Sequence, residues 1–248
     1  MIHRFLAITV TAACLALALS CGTEEPPAPG SDDYFPLAVG NYWVYKETGY
    51  DNLHPELTRQ FRHEVMDTAD MDFEHDSEGA LPVFIVEDTF PPPSEVGADD
   101  PRKEYFYDDG TVVVRKRQET YDRNTDALMK TRDYEPGLPK FDRSRTAIDD
   151  NWDVHFTSYT VSIPAEPDDS PPFSTTYMFR ILDPETTTVP AGTFECMKLS
   201  RFCTQGPCEG EEKIFYFAPG VGKVKEVTDE LKTEELTEYQ VESSGGGV

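Results

Sequence analysis

Basic residues are scarce in this chain: 22 Lys and Arg stand against 47 Asp and Glu, a formal net charge of -25. A field of that sign repels nucleic acid and anionic headgroups, so neither a nucleic-acid binder nor a membrane protein held by charge is expected. Histidine is sparse too, and His54, His63, His75 and His155 fall singly, with no pair at zinc-ligand spacing. No G-x-S-x-G elbow, phosphate loop or zincin helix occurs. No enzyme is expected on those grounds, and no cofactor. A spatially assembled hydrolase site is the weakest of the functional alternatives. Beyond the first twenty residues there is no apolar run long enough to span a bilayer.

What is present begins at the N-terminus. His3 and Arg4 form a basic start, and Phe5 to Leu19 has the length of a signal-peptide core, short of the ~20 apolar residues of a membrane span. The run ends in Leu17-Ala18-Leu19-Ser20-Cys21, which resembles the lipobox of bacterial lipoproteins. The resemblance implies that Cys21 is acylated, with palmitate-type chains, and becomes the new N-terminus. Leu is more usual where Ala18 stands, and a plain secretory signal is the alternative. Acyl chains contribute about 0.8 kcal/mol per buried methylene, enough to hold a protein at a membrane when two or three are attached. Gly22, not Asp, follows the cysteine, which in enterobacterial sorting favours the outer membrane.

The expected organisation follows: signal peptide 1–20, lipidated tether 21–33, one β domain 34–242 and a disordered tail 243–248. The tether reads GTEEPPAPGSDD after Cys21, too polar and proline-rich to pack a core. Residues 1–20 hold one charge, Arg4, so the mature chain has 21 basic and 47 acidic side chains. Which leaflet the protein occupies, periplasmic or surface, stays open.

Strand signals fill the domain. Tyr42 to Tyr45 starts a strand behind the Gly40-Asn41 pair, with Trp43 as a core anchor. Leu57 to Asp67 leans to strand, Asp67 to Gly79 reads as an acidic loop, and Leu81 to Phe90 as a strand. Asp109-Gly110 predicts a two-residue hairpin turn. In that register Tyr107 faces Val112, Tyr105 faces Val114 and Glu104 faces Arg115. Tyr134 to Ile148, with two prolines and many charges, reads as a connection. Asn151 to Ile163 and Phe173 to Leu182 are strands. Thr188 to Lys225 then carries three turns between strand-like runs, an antiparallel meander, and Glu234 to Val241 adds a last strand. Val83 to Val86 and Ile214 to Phe217 are apolar on both faces, so the sheet must be covered on both sides. The fold class is therefore all-β: a strongly curved antiparallel sheet or half-barrel with a C-terminal meander and little helix.

Cysteine offers the sharpest covalent expectation. With Cys14 removed and Cys21 acylated, Cys196, Cys203 and Cys208 remain. Cys203 and Cys208 flank a four-residue loop and would face each other across a hairpin at disulfide distance. A Cys196 partner or a redox-active pair are the alternatives, and no basic residue inside the loop lowers a thiol pKa. Cys196 itself reads as a buried thiol. Asp70, Asp72, Glu74 and Asp76 alternate in a pattern that offers oxygen ligands to calcium, but His75 stands where an EF-hand loop needs Gly. No metal is expected.

FPLAVGNYWVY, TVPAGTFECMKL and YFAPGVGKVKEV together resemble segments of secreted lipoproteins of Gram-negative bacteria, of the myxobacterial type. That resemblance covers under a fifth of the chain and implies export and a lipid anchor, with no activity attached. The layout also resembles, in shape, the lipoprotein-carrier half-barrels that bind acyl chains. The expected function is a lipid-anchored, non-catalytic envelope protein that holds an apolar or acyl ligand, or a protein segment, on a curved sheet. Its partners would be the membrane, through the anchor, and that ligand or an envelope protein. A structural or assembly lipoprotein is the alternative.

Overall fold

A computed structural model describes residues 33–49, 56–74, 79–90, 100–163, 171–228 and 232–242. Twelve strands account for the regular structure within them: β1 Tyr42–Thr48, β2 Thr58–Met71, β3 Leu81–Thr89, β4 Arg102–Asp108, β5 Val112–Tyr121, β6 Leu128–Asp142, β7 Asn151–Ser162, β8 Phe173–Val189, β9 Gly192–Gln205, β10 Glu212–Ala218, β11 Gly222–Thr228 and β12 Lys232–Gln240. Every strand pairs antiparallel with its chain neighbours, and β1 pairs with β12. The all-β expectation holds, and the curvature goes to completion in a closed up-and-down barrel. Closure leaves no strand with an unpaired edge.

The meander expected at Thr188 to Lys225 is thus the pattern of the whole chain. Its turns follow their residues: Val189 faces Gly192 across Pro190-Ala191. At Pro219-Gly220, Gly220 takes φ +71° and Val221 donates back to the Ala218 carbonyl, as a type II turn requires.

Four segments differ from the sequence reading. Tyr134 to Ile148 is no connection up to Asp142, because β6 runs through Pro136 and Pro139. Both prolines lack an N–H, and both sit where the ladders leave room: β6 pairs with β7 only over Lys130–Glu135, and its register with β5 shifts beyond Arg117. The acidic loop starts later, since β2 continues to Met71; Asp70 lies in a strand, and His75 and Asp76 fall outside the described residues. Among the described residues no group of three or more His, Cys, Asp or Glu could hold a metal. At Asp109-Gly110 the loop is wider than two residues: Tyr107 pairs with Val114, Phe106 with Arg115 and Tyr105 with Arg117. Asp109 causes this, because its carboxylate accepts from the Thr111 and Val112 amides and pulls Thr111 into the turn. Finally, β8 extends past Leu182 to Val189, absorbing Asp183-Pro184 in a register shift between Leu182 and Glu185.

Alternation assigns the faces. Trp43, Phe61, Val86, Phe106, Val113, Phe179, Leu199, Phe217, Val224 and Leu236 belong to one buried cluster inside the barrel. Leu81, Val83 and Tyr105 lie on the outside of the wall under Phe73. That outer cluster explains why Val83 to Val86 is apolar on both faces.

Candidate functional site

One end of the barrel is closed by the chain itself. Residues 33–41, ahead of β1, fold beneath the barrel at the end holding the β8–β9 and β10–β11 turns. Phe35 packs on Phe106 and Phe217, with ring centroids 5.9 and 6.2 Å apart, and Tyr34 stacks on Phe141 at 5.7 Å. The Gly220 amide donates to the Asp33 carbonyl at 2.8 Å, and the Gly40 amide to Val65. Arg143 bridges the segment to the wall: its guanidinium donates to both Asp108 oxygens at 2.8 and 2.9 Å and also reaches Asp33 and the Phe35 carbonyl. Fully buried Asn41 closes the seam, donating to the Pro36 carbonyl and accepting from the Glu242 amide.

Above this plug lie two connected cavities. The lower, of about 230 Å³, is walled by aromatic rings, among them Phe35, Trp43, Tyr45, Phe61, Phe106, Phe179, Phe215 and Phe217. Trp43, the expected core anchor, donates from Nε1 to the Val221 carbonyl at 2.5 Å, and the Tyr45 hydroxyl donates to the Lys223 carbonyl. The upper cavity, of about 730 Å³, is bounded by Tyr134, Phe156, Phe173 and Tyr177 and by the hydroxyls of Ser158, Thr160, Ser162 and Thr175. It reaches the surface where Lys130 and Phe173 are exposed. Arg102, Lys140, Arg201, Lys213, Phe215 and Glu226 line both.

The charge of this interior is the reverse of the surface. Seven Lys and Arg line the upper cavity against two Glu, in a chain with more than twice as many acids as bases. Most of the lower charges are matched. Glu47 takes Arg59 and Lys232. Asp88 takes His63 at 2.5 Å and Arg102 at 3.1 Å. Glu226 accepts from Lys213 and Lys223, each at 2.8 Å, and Lys223 also reaches Glu234 at 2.6 Å. Burial opposes ionisation of Glu226, but the two lysines outweigh it and hold the carboxyl well below its ordinary range. Burial likewise opposes the charge on Glu104, yet Arg115, with Lys140, His63 and Arg102 behind it, keeps this carboxyl ionised to strongly acid pH.

Two cations nearer the upper cavity, Arg201 and Lys140, are poorly matched, and a third, Arg115, keeps a spare donor. Arg201 makes ring contacts only, 4.6 Å over Tyr177 and 5.2 Å over Phe215. Burial disfavours its charge, and Arg115 adds repulsion. Lys140 stands 4.0 Å from Glu104, which is no hydrogen bond. Burial, then Arg115, lowers its pKa from 10.5 to about 7. Arg115 itself pairs with Glu104 and donates to Tyr134 at 2.8 Å, but its buried Nε has no partner.

The sequence-predicted residues fall elsewhere. Cys203 and Cys208 are bonded to each other, with Cα atoms 5.8 Å apart, and Cys208 sits at the wall of the upper cavity. Cys196 is a buried free thiol, its pKa pushed by burial up to about 11. Cys21, the lipidation residue, lies outside the described residues. Glu104 and Arg115 do meet as an ion pair, though Glu104 is in register with Gln118. The interior cations escaped notice in the sequence, where they read as surface charge. A signal existed: Arg201 shares strand parity with Met197, Leu199 and Cys203, all buried, and a cation on an apolar face is the exception that asks for a reason.

No protein-family model and no curated protein matches the sequence. Solved structures do resemble the fold. A protein of Bacteroides fragilis NCTC 9343, described as exported and as having a YmcC-like fold, superposes with a TM-score of 0.50 at 14% identity, over 83% of this chain and 98% of its own. A lipoprotein from Parabacteroides distasonis ATCC 8503 gives 0.48 at 15% identity, over 85% and 99%. At such identity the first likeness speaks for the architecture, a YmcC-like barrel, and for nothing finer.

Proposed function

We propose that this chain is an exported, lipid-anchored protein of the bacterial cell envelope that acts by binding, without catalysis, and holds a ligand with an apolar part inside its barrel. The carrying observation is the upper cavity, about 730 Å³, within the range of ligand sites, reaching the surface at its mouth and sharing lining residues with the smaller cavity that rests on the plug. Its rings and those of the lower cavity provide the apolar contact. Export and anchoring rest on the residue 1–20 signal and Cys21, and the description of the Bacteroides protein as exported agrees with them. The outer membrane is the proposed destination.

The hydrolase reading gains little support. His63 and Asp88 form a pair inside the lower cavity, but among the described residues no Ser, Thr or Cys lines that cavity to serve as nucleophile. Native mass spectrometry of the protein purified from its own envelope tests the proposal. Added mass that co-purifies and is released by organic solvent is the expected result; a clean apo mass would count against a bound ligand. Replacing Cys21 by Ser should move the protein from the membrane to the soluble fraction, and retention at the membrane would remove the anchor from the proposal.

A further inference from the structure

The upper cavity holds more positive charge than its own acids can balance, and this selects among ligands. In the lower cavity five carboxylates answer seven cations. Higher up, Lys130 and Arg132 stand at the mouth with no ion pair to an acid among the described residues, Arg132 donating to the Thr160 hydroxyl at 3.1 Å. Deeper, Arg201 has aromatic faces for company and Lys140 stands off from Glu104. Arg115, Lys140 and Arg201 all line the upper cavity, and Arg115 disfavours the charge on the other two. Like charges gathered away from bulk water are costly unless something of opposite sign joins them. Among the described residues Glu226 offsets part of that cost for Arg201 and Lys140, but it is shared with Lys213 and Lys223.

We propose that the ligand carries an anionic group, a carboxylate or a phosphate, which Arg201 and Lys140, shared by the two cavities, hold together with Arg115 of the upper one. The guanidiniums offer forked donors that match either anion. The apolar part of the ligand then lies along the Tyr177, Phe215 and Phe156 rings. This rests on the binding reading above and adds the chemical class of the bound molecule. The acidic exterior repels any anion that has no such site, which sharpens the selection.

The test uses the mature chain, residue 21 onward, bearing Cys21→Ser, and titrates it calorimetrically with octyl phosphate, octanol, octyltrimethylammonium and inorganic phosphate. Octyl phosphate should bind at least about tenfold more tightly than octanol, the scale of one charge-assisted hydrogen bond network, and octyltrimethylammonium most weakly. Arg201→Gln should remove most of the preference for octyl phosphate over octanol, with Lys140→Gln a second variant should the first fail to fold. The proposal is overturned if octanol binds as tightly as octyl phosphate to the unsubstituted protein. It is equally overturned if Arg201→Gln weakens both alike. Inorganic phosphate binding as tightly as octyl phosphate would uphold the anion site and remove the apolar part from the proposed function. If no probe binds, the binding function falls, and the anion site with it.

Discussion

Glu104 and Arg115 show what a single buried ion pair does for this barrel. Each is buried or nearly so, with Glu104 6% exposed, and each leaves the other unmatched when removed. Glu104→Gln strands Arg115 and deprives Lys140 of its nearest acid, so a loss of about 3–5 kcal/mol in urea unfolding is expected. The double change Glu104→Leu with Arg115→Met should cost much less than the sum of the two single changes, because no lone charge remains. Additive losses would mean that the pair is not the unit. Lys140 gives a pH signature. It is charged in both folded and unfolded chains below about pH 7, where its burial costs stability; between about 7 and 10.5 only the unfolded chain still holds the proton. Stability should therefore rise with pH across that window relative to Lys140→Gln, by at most about 1.4 kcal/mol per pH unit. Glu104 acts in the same sense in a lower window, its folded pKa also lying below the unfolded one, so its contribution is present above ordinary carboxylate pKa values and lost in strong acid.

At the scale of elements, β6 and the β9–β10 hairpin make the contrast. Gly137 in β6 has φ +145°, and a Cβ there would meet the Val114 side chain at 2.9 Å. Gly137→Ala should cost about 2–3 kcal/mol, read as a fall in melting temperature, since both the backbone and the β5–β6 contact must give way. A neutral substitution would show that β6 can shift bodily. The hairpin is stapled by Cys203–Cys208, whose short loop limits the stabilisation to about 2 kcal/mol. Reduction should lower the unfolding free energy by that amount and leave the far-ultraviolet spectrum of the barrel intact. The staple was legible because spacing alone places the two cysteines. β6 was not, because Pro136, Gly137 and Pro139 signal a loop in any local reading. They become a strand only where a neighbouring ladder has a gap to receive them. The Asp109-Gly110 register failed for a related reason: an aspartate that caps two amides widens a turn that backbone preference would keep tight.

For the whole molecule, alternation and turn chemistry announce an all-β chain, and two-faced apolar strands announce a covered sheet. Full closure is a matter of how many strands share the curvature, which no local pattern encodes. The candidate site was hidden for a different reason. Its cations come from β4, β5, β6, β9 and β10, three from β6 and one from each of the others, so they are dispersed along the sequence. The acid-rich composition drew attention to the exterior, yet it is the smaller basic fraction, gathered inside, that gives the interior its character.

The pairing of β1 with β12 has one more consequence. Every other ladder joins strands that follow one another, whereas Tyr42 meets Glu238 across 196 residues. Eleven strands can assemble by adding hairpins locally, but the last seam waits for the complete chain. Until it forms, β1 and β12 are both open edges, free to join those of a second molecule. Refolding yield should therefore fall with protein concentration while the early spectroscopic signal of strand formation does not. A polypeptide that emerges from a secretion channel N-terminus first keeps β1 waiting longest, and the residues ahead of it cannot seat until the ring is sealed. The cavity thus acquires its floor at the final step of its own assembly.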